Sequence, residues 1–272
     1  MNFLKTLFLI LIPVFLFASC DDATNNNSSN EGVLRVSVTD APANFDAVYI
    51  DVIEVKVHRS SDADEDDGEW ITINDQPLRI DLLNLTNGRV DVLGETELEA
   101  GTYRQLRLIL GDNNEIVIDG ESRPLTTPSA QQSGVKLNLD VTIEGGEIFN
   151  LLLDFDASRS IVQAGASGMF LLKPVLRTVE LEAAGTITGS VNPAEALPWV
   201  YAIADEDTLA GTRADTTGVF TVIGLPSGTY QVSIVPSVDG FANAVVPNVE
   251  VASRDTTDLG TIELESTDDT GN

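Results

Sequence analysis

The sequence predicts an all-β protein made of two β-sandwich domains. Short segments of alternating apolar and polar residues recur along the 272-residue chain, separated by turn residues at regular spacing. No segment has the long amphipathic period of a helix, and short helices are expected only near Asn84 and Ser158. Many short strands with regular turns are typical of a sandwich or a barrel.

The first domain is expected at residues 32–182, and its opening strands show the pattern well. Leu34, Val36 and Val38 alternate with polar residues until a turn signal around Pro42. A second strand is predicted from about Ala47 to His58. In that strand Ile53, Val55 and Val57 would face the core, and His58 would lie on the solvent face.

The remaining strands of the first domain follow from the same patterns. They are expected at residues 70–73, 103–110, 116–118, 135–143, 147–155 and 169–181, and a further apolar stretch fills residues 78–85. Asp119 and Gly120 supply the positive φ angles of a tight hairpin turn after the strand at 116–118.

The second domain is expected at residues 185–265, beyond a seam of small residues at 182–185. Phe220 and Val222 would point to one face, residues 224–228 would form a turn, and Tyr230 and Val232 would return as the next strand. Residues 266–272 are polar and are expected to form a disordered tail.

The N-terminus has the pattern of a lipoprotein signal. Lys5 precedes an apolar stretch, which ends in Ala18-Ser19 before Cys20, the only cysteine of the chain. The stretch is shorter than the ~20 residues of a spanning helix and includes Pro13. A retained membrane anchor and a plain secretory signal are the alternatives.

Lipidation would determine where in the cell the protein is located. Residues 1–19 are expected to be removed as a signal peptide, and Cys20 to carry lipid. Residues 20–31 are polar and would form a flexible tether. The expected location is the cell envelope, with the lipid in a membrane, most naturally the outer one, and the folded part periplasmic or surface-exposed.

The charge excludes one class of partner. The chain carries 15 basic and 43 acidic residues, a formal charge of −28. Removal of residues 1–19 takes away Lys5 and no acid, so 14 basic residues against 43 acidic ones leave −29. Such a charge repels phosphate backbones, which excludes nucleic acid as a partner.

Five motifs of the first domain keep an order that resembles the DUF4382 family. They are residues 38–42, 46–50, 100–108, 153–160 and 172–175. The resemblance spans roughly residues 32–180 and implies an envelope lipoprotein, without implying a reaction. Residues 218–232 resemble the carboxypeptidase regulatory-like domain, a small transthyretin-like (prealbumin-like) sandwich. That second resemblance covers residues 185–265 and implies an accessory module without peptidase activity.

The residue inventory argues against common catalytic sites. His58 is the only histidine, and no Gly-x-Ser-x-Gly motif accompanies it. One histidine and one lipidated cysteine also argue against an ordinary zinc site. We therefore expect a protein that is not an enzyme.

Two groups of acidic residues could still carry chemistry. Asp154 and Asp156 flank Phe155 on a strand, so their Cα atoms would lie ~6–7 Å apart on one face. This spacing suits ion pairing with Arg159 or Lys173, calcium ligation, or the carboxylate pair of a glycosidase.

The acidic loop after the second strand is the other group. Asp62, Asp64 and Asp66 offer oxygen ligands for calcium, although the spacing of an EF-hand loop is missing. A solvated run of like charges is the alternative interpretation. No cofactor besides calcium is expected.

The leading hypothesis is a non-catalytic binding or scaffolding component of the envelope, with an envelope protein or a glycan as its partner. A carbohydrate-binding surface lipoprotein is the first alternative, which exposed Trp70 and Trp199 would favour. A hydrolase that uses Asp154 and Asp156 is the second, which a deep acidic cleft would favour.

Overall fold

The computed structural model describes residues 30–127, 134–165 and 168–267. The predicted signal peptide, Cys20, nearly all of the tether and residues 268–272 of the tail lie outside the described residues. Strands make up 63% of the described residues and helices 7%, which confirms the all-β fold class. Within the described part of the chain, no helix is long and apolar enough to cross a membrane.

The first thirteen strands build two sheets around one core. They are β1 (Glu31–Ala41), β2 (Ala47–His58), β3 (Ile71–Asn74), β4 (Leu78–Asp81), β5 (Asp91–Glu99), β6 (Gly101–Leu110), β7 (Glu115–Ile118), β8 (Glu121–Thr126), β9 (Val135–Ile143), β10 (Ile148–Asp156), β11 (Ile161–Ala164), β12 (Met169–Leu172) and β13 (Leu176–Glu180). One sheet has the order β13-β10-β1-β5, and β1 and β10 run parallel in it. The other has the order β11-β12-β8-β7-β2-β6-β9, and β3 and β4 also pair with β2.

The last seven strands build two further sheets around a second core. They are β14 (Gly185–Asn192), β15 (Trp199–Ala204), β16 (Asp207–Arg213), β17 (Val219–Leu225), β18 (Gly228–Val235), β19 (Ala244–Val251) and β20 (Thr256–Glu263). The sheet orders are β17-β14-β20 and β16-β15-β18-β19. The turn after β17 therefore carries the chain from one sheet to the other, so β17 and β18 do not pair with each other.

The two cores contain the residues that the alternation predicted. Leu34, Val36 and Val38 are buried in the first. Phe220 and Tyr230, the large aromatic residues of the predicted turn motif, are buried in the second. We call the two halves the first and second sandwich. Their folding as independent domains with the predicted boundaries stays a prediction.

Strand β2 corrects two predictions about side-chain direction. Val52 and Val55 are both buried, because the pairing of β2 with β6 shifts register between Val52 and Glu54. Ile53 lies in this bulge and is 37% exposed, so its predicted place in the core is wrong. His58 is only 3% exposed, so the prediction of a solvent-facing histidine is also wrong.

The two predicted short helices and the hairpin turn are confirmed, while two further 3₁₀ helices, at Leu181–Ala183 and Ala194–Ala196, were not expected. A 3₁₀ helix at Leu82–Leu85 contains Asn84, and its first turn is capped by Asp81, which accepts a hydrogen bond from Leu83 N. The helix α1 at Ala157–Ser160 contains Ser158. Asp119 and Gly120 have φ angles of 53° and 75°, as the turn between β7 and β8 requires.

Three segments differ from the predicted strands. The stretch expected at residues 169–181 is divided into β12 and β13 around Pro174, which cannot donate to a sheet ladder. β5 and β11 were not predicted, because acidic residues occupy most exposed positions of β5, and β11 has only four residues without alternation. β5 is the edge strand of its sheet, so it forms hydrogen bonds with only one neighbouring strand of that sheet, β1.

Candidate functional site

The Asp154-Phe155-Asp156 segment at the end of β10 places an apolar side chain between two acidic ones. Phe155 is fully buried in the core of the first sandwich. Asp154 and Asp156 line a cleft on the other side, which faces the second sandwich. The strand period of two residues thus positions both carboxylates where the two sandwiches meet.

Asp154 is held by an ion pair that also reaches the second sandwich. Arg177 on β13 lies opposite Asp154 in the sheet and contacts Asp154 Oδ2 through Nη2 at 2.5 Å. The other terminal nitrogen, Nη1, donates to the carbonyl oxygen of Gly224 on β17 at 2.8 Å. Burial raises the pKa of Asp154, and Arg177 opposes this effect.

Asp156 is engaged by the helix that follows it. Its Oδ1 atom accepts hydrogen bonds from Arg159 N at 2.9 Å and Ser158 Oγ at 2.7 Å, which caps α1. Arg159 Nε lies 3.9 Å from the second carboxylate oxygen. The predicted pairing with Arg159 is therefore present, whereas Asp154 pairs with Arg177 rather than with Lys173.

Asp40 is a third acidic residue of this region, and the sequence interpretation missed it. It is 2% exposed and lies beside Phe155 in the parallel pair of β1 and β10. Its Oδ1 atom accepts a hydrogen bond from Ala157 N at 3.0 Å, and within the described part of the chain its buried Oδ2 atom has no hydrogen-bond partner. Burial raises the pKa of Asp40 well above its usual value, with Asp154 and Asp156 adding to the effect.

The cleft between the sandwiches has a volume of about 590 Å³. The first sandwich contributes Pro42, Asp156 and Arg159, and the second contributes Tyr201 and residues 207–211. Burial raises the pKa of Tyr201, and the nearby charge of Asp156 raises it further. The cleft thus combines polar and apolar surface, carries charges of both signs and has one aromatic side chain in its wall.

A second set of contacts fixes the sandwiches beside the cleft. Asn87 N donates to Thr212 Oγ1 at 2.6 Å, and Asn87 Nδ2 donates to the carbonyl oxygen of Val219 at 3.2 Å. Gly211 lies against Tyr201 and Pro42, since a Cβ atom at this glycine would come within 2.9 Å of the Tyr201 ring and 3.2 Å of Pro42 Cδ. The cleft therefore has tightly fitted walls.

Both tryptophans are half-buried beneath cationic side chains. The Arg213 guanidinium lies 5.0 Å from the ring centre of Trp199, beside a hollow of about 150 Å³ lined by Phe45 and Asp81. The Arg107 guanidinium lies 4.9 Å from the ring centre of Trp70. Such rings are less accessible for stacking on a sugar than open aromatic platforms.

The acidic loop connects β2 and β3, and the predicted calcium ligands Asp62, Asp64 and Asp66 are all exposed there. Among the described residues, the acidic and imidazole groups that converge closely enough to share a metal are His58, Asp67 and Glu69. Calcium binding at Asp62, Asp64 and Asp66, or at Asp154 and Asp156, stays a prediction.

The profile of the DUF4382 family, a domain of unknown function, matches residues 31–174, which is more than half of the chain. The chain belongs to the DUF4382 family. The DUF4382 region includes Asp40, Asp154 and Asp156. Arg177 and the second sandwich lie beyond it, so the cleft is formed between the family region and the part of the chain that follows.

Several solved structures are weakly similar to the chain. A minor pilin from Streptococcus agalactiae is 11% identical over 86% of this chain and 96% of the pilin, with a TM-score of 0.23. A shaft pilin mutant from Lactobacillus rhamnosus GG is 12% identical over 87% of this chain and 97% of the pilin, with a TM-score of 0.26.

A mutant type II cohesin–X-dockerin complex from Acetivibrio cellulolyticus is 21% identical over 30% of this chain, with a TM-score of 0.25. The match spans 58% of that chain, a little more than half of its length. None of the curated proteins compared with this chain is significantly similar to it.

Proposed function

We propose that this protein is a non-catalytic binding or scaffolding component of the cell envelope, held at a membrane by lipid on Cys20. The observation that carries the non-catalytic part is the engagement of both cleft carboxylates. Asp154 is paired with Arg177, and Asp156 caps α1. A glycosidase needs one carboxyl group that donates a proton and one that attacks or activates water, whereas these bonds support structural roles for both groups.

The cleft is the proposed binding site. It lies between two folded units, and its volume of about 590 Å³ is in the range of ligand sites. Arg159 has a 67% exposed side chain at its rim, and Asp156 and Tyr201 lie beside it. Groups of both charges and a phenol can recognise an extended protein segment with complementary side chains.

A protein partner is favoured over a glycan. Sugar sites rely on accessible aromatic faces, and Trp70 and Trp199 are each covered by a guanidinium. The formal charge of −28 also favours partner segments that carry basic residues. The location in the envelope rests on the signal pattern and on Cys20, and it is part of the proposal.

Site-specific photo-crosslinking in intact cells tests the proposed site. A photoreactive residue in place of Thr208, which lines the cleft, should give a defined adduct. The same residue in place of Asn138, an exposed position on β9, should not give that adduct. Arg159→Glu should abolish the adduct at position 208, because Arg159 is the cation of the rim that would pair with an acidic side chain of the partner segment, while basic side chains of the segment would pair with Asp156.

Two results would contradict the proposal. One is an adduct at position 138 equal to that at position 208, or an adduct at position 208 that Arg159→Glu leaves unchanged. The other is hydrolysis of an envelope glycan by the purified protein that is lost in Asp154→Asn and Asp156→Asn, which would assign the carboxylates to catalysis.

A further inference from the structure

His58 lies at the end of β2, beneath the acidic loop that leads to β3. Its side chain is 3% exposed. The Nδ1 atom accepts a hydrogen bond from Ser60 N at 2.8 Å, and the carbonyl oxygen of Ser60 lies 3.4 Å from the same atom. The Nε2 atom is buried and has no hydrogen-bond partner among the described residues. A buried ring nitrogen that is left unsatisfied is rare in folded proteins.

Two carboxylates lie close to the imidazole. Asp67 Oδ1 lies 3.4 Å from His58 Nε2. One ligand atom from each of His58, Asp67 and Glu69 lies within 4.8 Å of the other two. A hydrogen bond between nitrogen and oxygen is usually ~2.7–3.2 Å long. Two ligands bound ~2.1 Å from one tetrahedral cation are ~3.4 Å apart, so the observed separation suits shared ligation better than a hydrogen bond.

The loop is held in place by contacts outside this group. The carbonyl oxygen of Ala63 accepts hydrogen bonds from Arg107 Nη2 at 3.1 Å and from Lys136 Nζ at 3.4 Å. Trp70 Nε1 donates to the carbonyl oxygen of Asp64 at 2.7 Å. These bonds fix the course of the loop. The carboxylates of Asp67 and Glu69 therefore lie near His58 before any metal binds.

A second bond orients one of the ligands. Asp67 Oδ1 accepts a hydrogen bond from Glu69 N at 3.0 Å, which fixes the carboxylate on the side of the loop that faces the imidazole. Hydrogen bonds to ligands of this kind commonly fix the geometry of metal sites.

We propose that His58 Nε2, Asp67 and Glu69 form a binding site for a divalent transition metal ion of the zinc type, with water completing the coordination. One imidazole nitrogen and two carboxylate oxygens are ligands that such ions accept, whereas calcium prefers oxygen alone. The site therefore differs in chemistry and position from a calcium site at Asp62, Asp64 and Asp66.

Binding requires one proton to move within the imidazole. Nδ1 now accepts a hydrogen bond, which places the proton of the neutral ring on Nε2. The metal would replace that proton, and Nδ1 would carry the proton instead, with the Ser60 carbonyl as its acceptor. The hydrogen bond from Ser60 N would be lost.

The positively charged side chains near His58 are paired with acidic residues other than Asp67 and Glu69. Arg107 and Lys56 lie close to Trp70, whose ring centre is 5.0 Å from that of His58. Arg107 Nη1 is 3.9 Å from Glu65, and Lys56 Nζ is 3.5 Å from Glu54. The carboxylates of Asp67 and Glu69 thus remain available to compensate the charge of the metal.

NMR provides a direct test because His58 is the only histidine of the chain. The full-length protein, purified without a polyhistidine tag, would be titrated with Zn²⁺ after chelator treatment. Both imidazole ¹⁵N signals should shift, with the Nδ1 signal moving to the value of a protonated nitrogen. Calcium at the same concentration should leave both signals in place.

Variants in the same loop separate the site from general attraction of cations to acids. Asp67→Asn should weaken Zn²⁺ binding at least about tenfold, since even residues that only support metal ligands change affinity by this factor. Asp62→Asn removes the same charge at an exposed position of the loop and should change the affinity less than about twofold. His58→Gln should abolish the binding seen by calorimetry, provided that its circular dichroism matches that of the parent protein.

The proposal is overturned if millimolar Zn²⁺ leaves the imidazole signals unchanged. It is also overturned if Asp62→Asn and Asp67→Asn weaken binding equally, because the ion would then be attracted by the loop charge alone. Asp67 is 38% exposed, so its replacement tests the site even if His58→Gln does not fold.

Discussion

Arg177 Nη1 donates a 2.8 Å hydrogen bond to the carbonyl oxygen of Gly224, and this bond joins the first sandwich to the second. The same guanidinium neutralises Asp154, which is 9% exposed. The Arg177 side chain therefore compensates a buried charge and connects the two halves of the protein beside the cleft. Replacement of Arg177 should leave Asp154 without its counter-charge and weaken the contact between the sandwiches.

Arg177→Met should destabilise the protein by about 2–3 kcal/mol at pH 7. Loss of one partner of a fully buried pair costs about 3–5 kcal/mol, and the partial exposure of Arg177 lowers this value. Urea unfolding measures the change. Arg35→Met, which breaks the exposed pair of Arg35 and Glu95, is the matched control and should cost less than about 1 kcal/mol. Equal losses in the two variants would show that the Arg177 pair has no special role.

Asp40→Asn should stabilise the protein at neutral pH. The raised pKa means that the folded state holds the Asp40 proton more tightly than the unfolded state, whose pKa is near 3.8. Stability from this group is therefore fully present below that pH and is lost as the pH rises through the folded pKa. The gain in unfolding free energy from Asp40→Asn should grow with pH above 3.8 until Asp40 is ionised in the folded protein.

Urea unfolding at several pH values between about 4 and 8 would measure this gain. Asp112→Asn removes one negative charge at an exposed position and controls for the change in net charge. A difference between Asp40→Asn and the parent protein that stays constant with pH would contradict the expected titration of Asp40.

Gly211→Ala should disturb the junction of the sandwiches. The added Cβ atom would lie 2.9 Å from Tyr201 Cδ1 and 3.2 Å from Pro42 Cδ, and overpacking of this kind typically costs about 1–3 kcal/mol. Gly68→Ala is the control, because nothing lies within 4 Å of the added atom there. Calorimetry should show a lower melting temperature for Gly211→Ala than for the parent protein, and an unchanged melting temperature for Gly68→Ala. Similar melting temperatures for both variants would mean that the junction adapts without cost.

A fragment of residues 185–267 should fold by itself. Its buried residues form one cluster that includes Phe220 and Tyr230, and β14 to β20 pair only among themselves within the described chain. We expect a cooperative thermal transition and a β-type circular dichroism spectrum. An unfolded fragment would show that the contacts of Arg177 and Asn87 with the second sandwich are needed for its stability.

Cys20 should be the first residue of the native mature protein and should carry lipid. The basis is the apolar stretch that ends in Ala18-Ser19 before the cysteine. Intact-mass measurement of the protein from its host would show cleavage before Cys20 together with the added lipid mass. Cys20→Ala should leave the precursor uncleaved. A native mature chain without lipid mass would refute the predicted anchor.

Most of the strands could be predicted because their signal is local. β9 keeps the period of two residues over its whole length, and Leu34, Val36 and Val38 of β1 are buried as expected. β5 was missed because Glu95, Glu97 and Glu99 occupy its exposed positions and few apolar residues mark the buried side. An edge strand tolerates such a composition, since charged residues there also discourage pairing with other chains.

The faces of β2 could not be derived from alternation alone. One bulged residue, Ile53, shifts the register, and each such shift exchanges the two faces of the strand that follows. His58 is buried because a loop from the same hairpin folds over it, which no periodic pattern reports. The group of His58, Asp67 and Glu69 therefore becomes visible only in three dimensions.

The sequence by itself determined the all-β class and the turn at Asp119 and Gly120, because each depends on residues that are close together in the chain. The envelope location also rests on a local pattern and stays a prediction. Only the tertiary structure decided that Asp154 pairs with Arg177, that Asp40 is buried, and that a cleft lies between the sandwiches. These features depend on contacts between distant segments. Burial, charge pairing and pKa at such positions follow from what surrounds a side chain in space, and neighbours in sequence do not specify those surroundings.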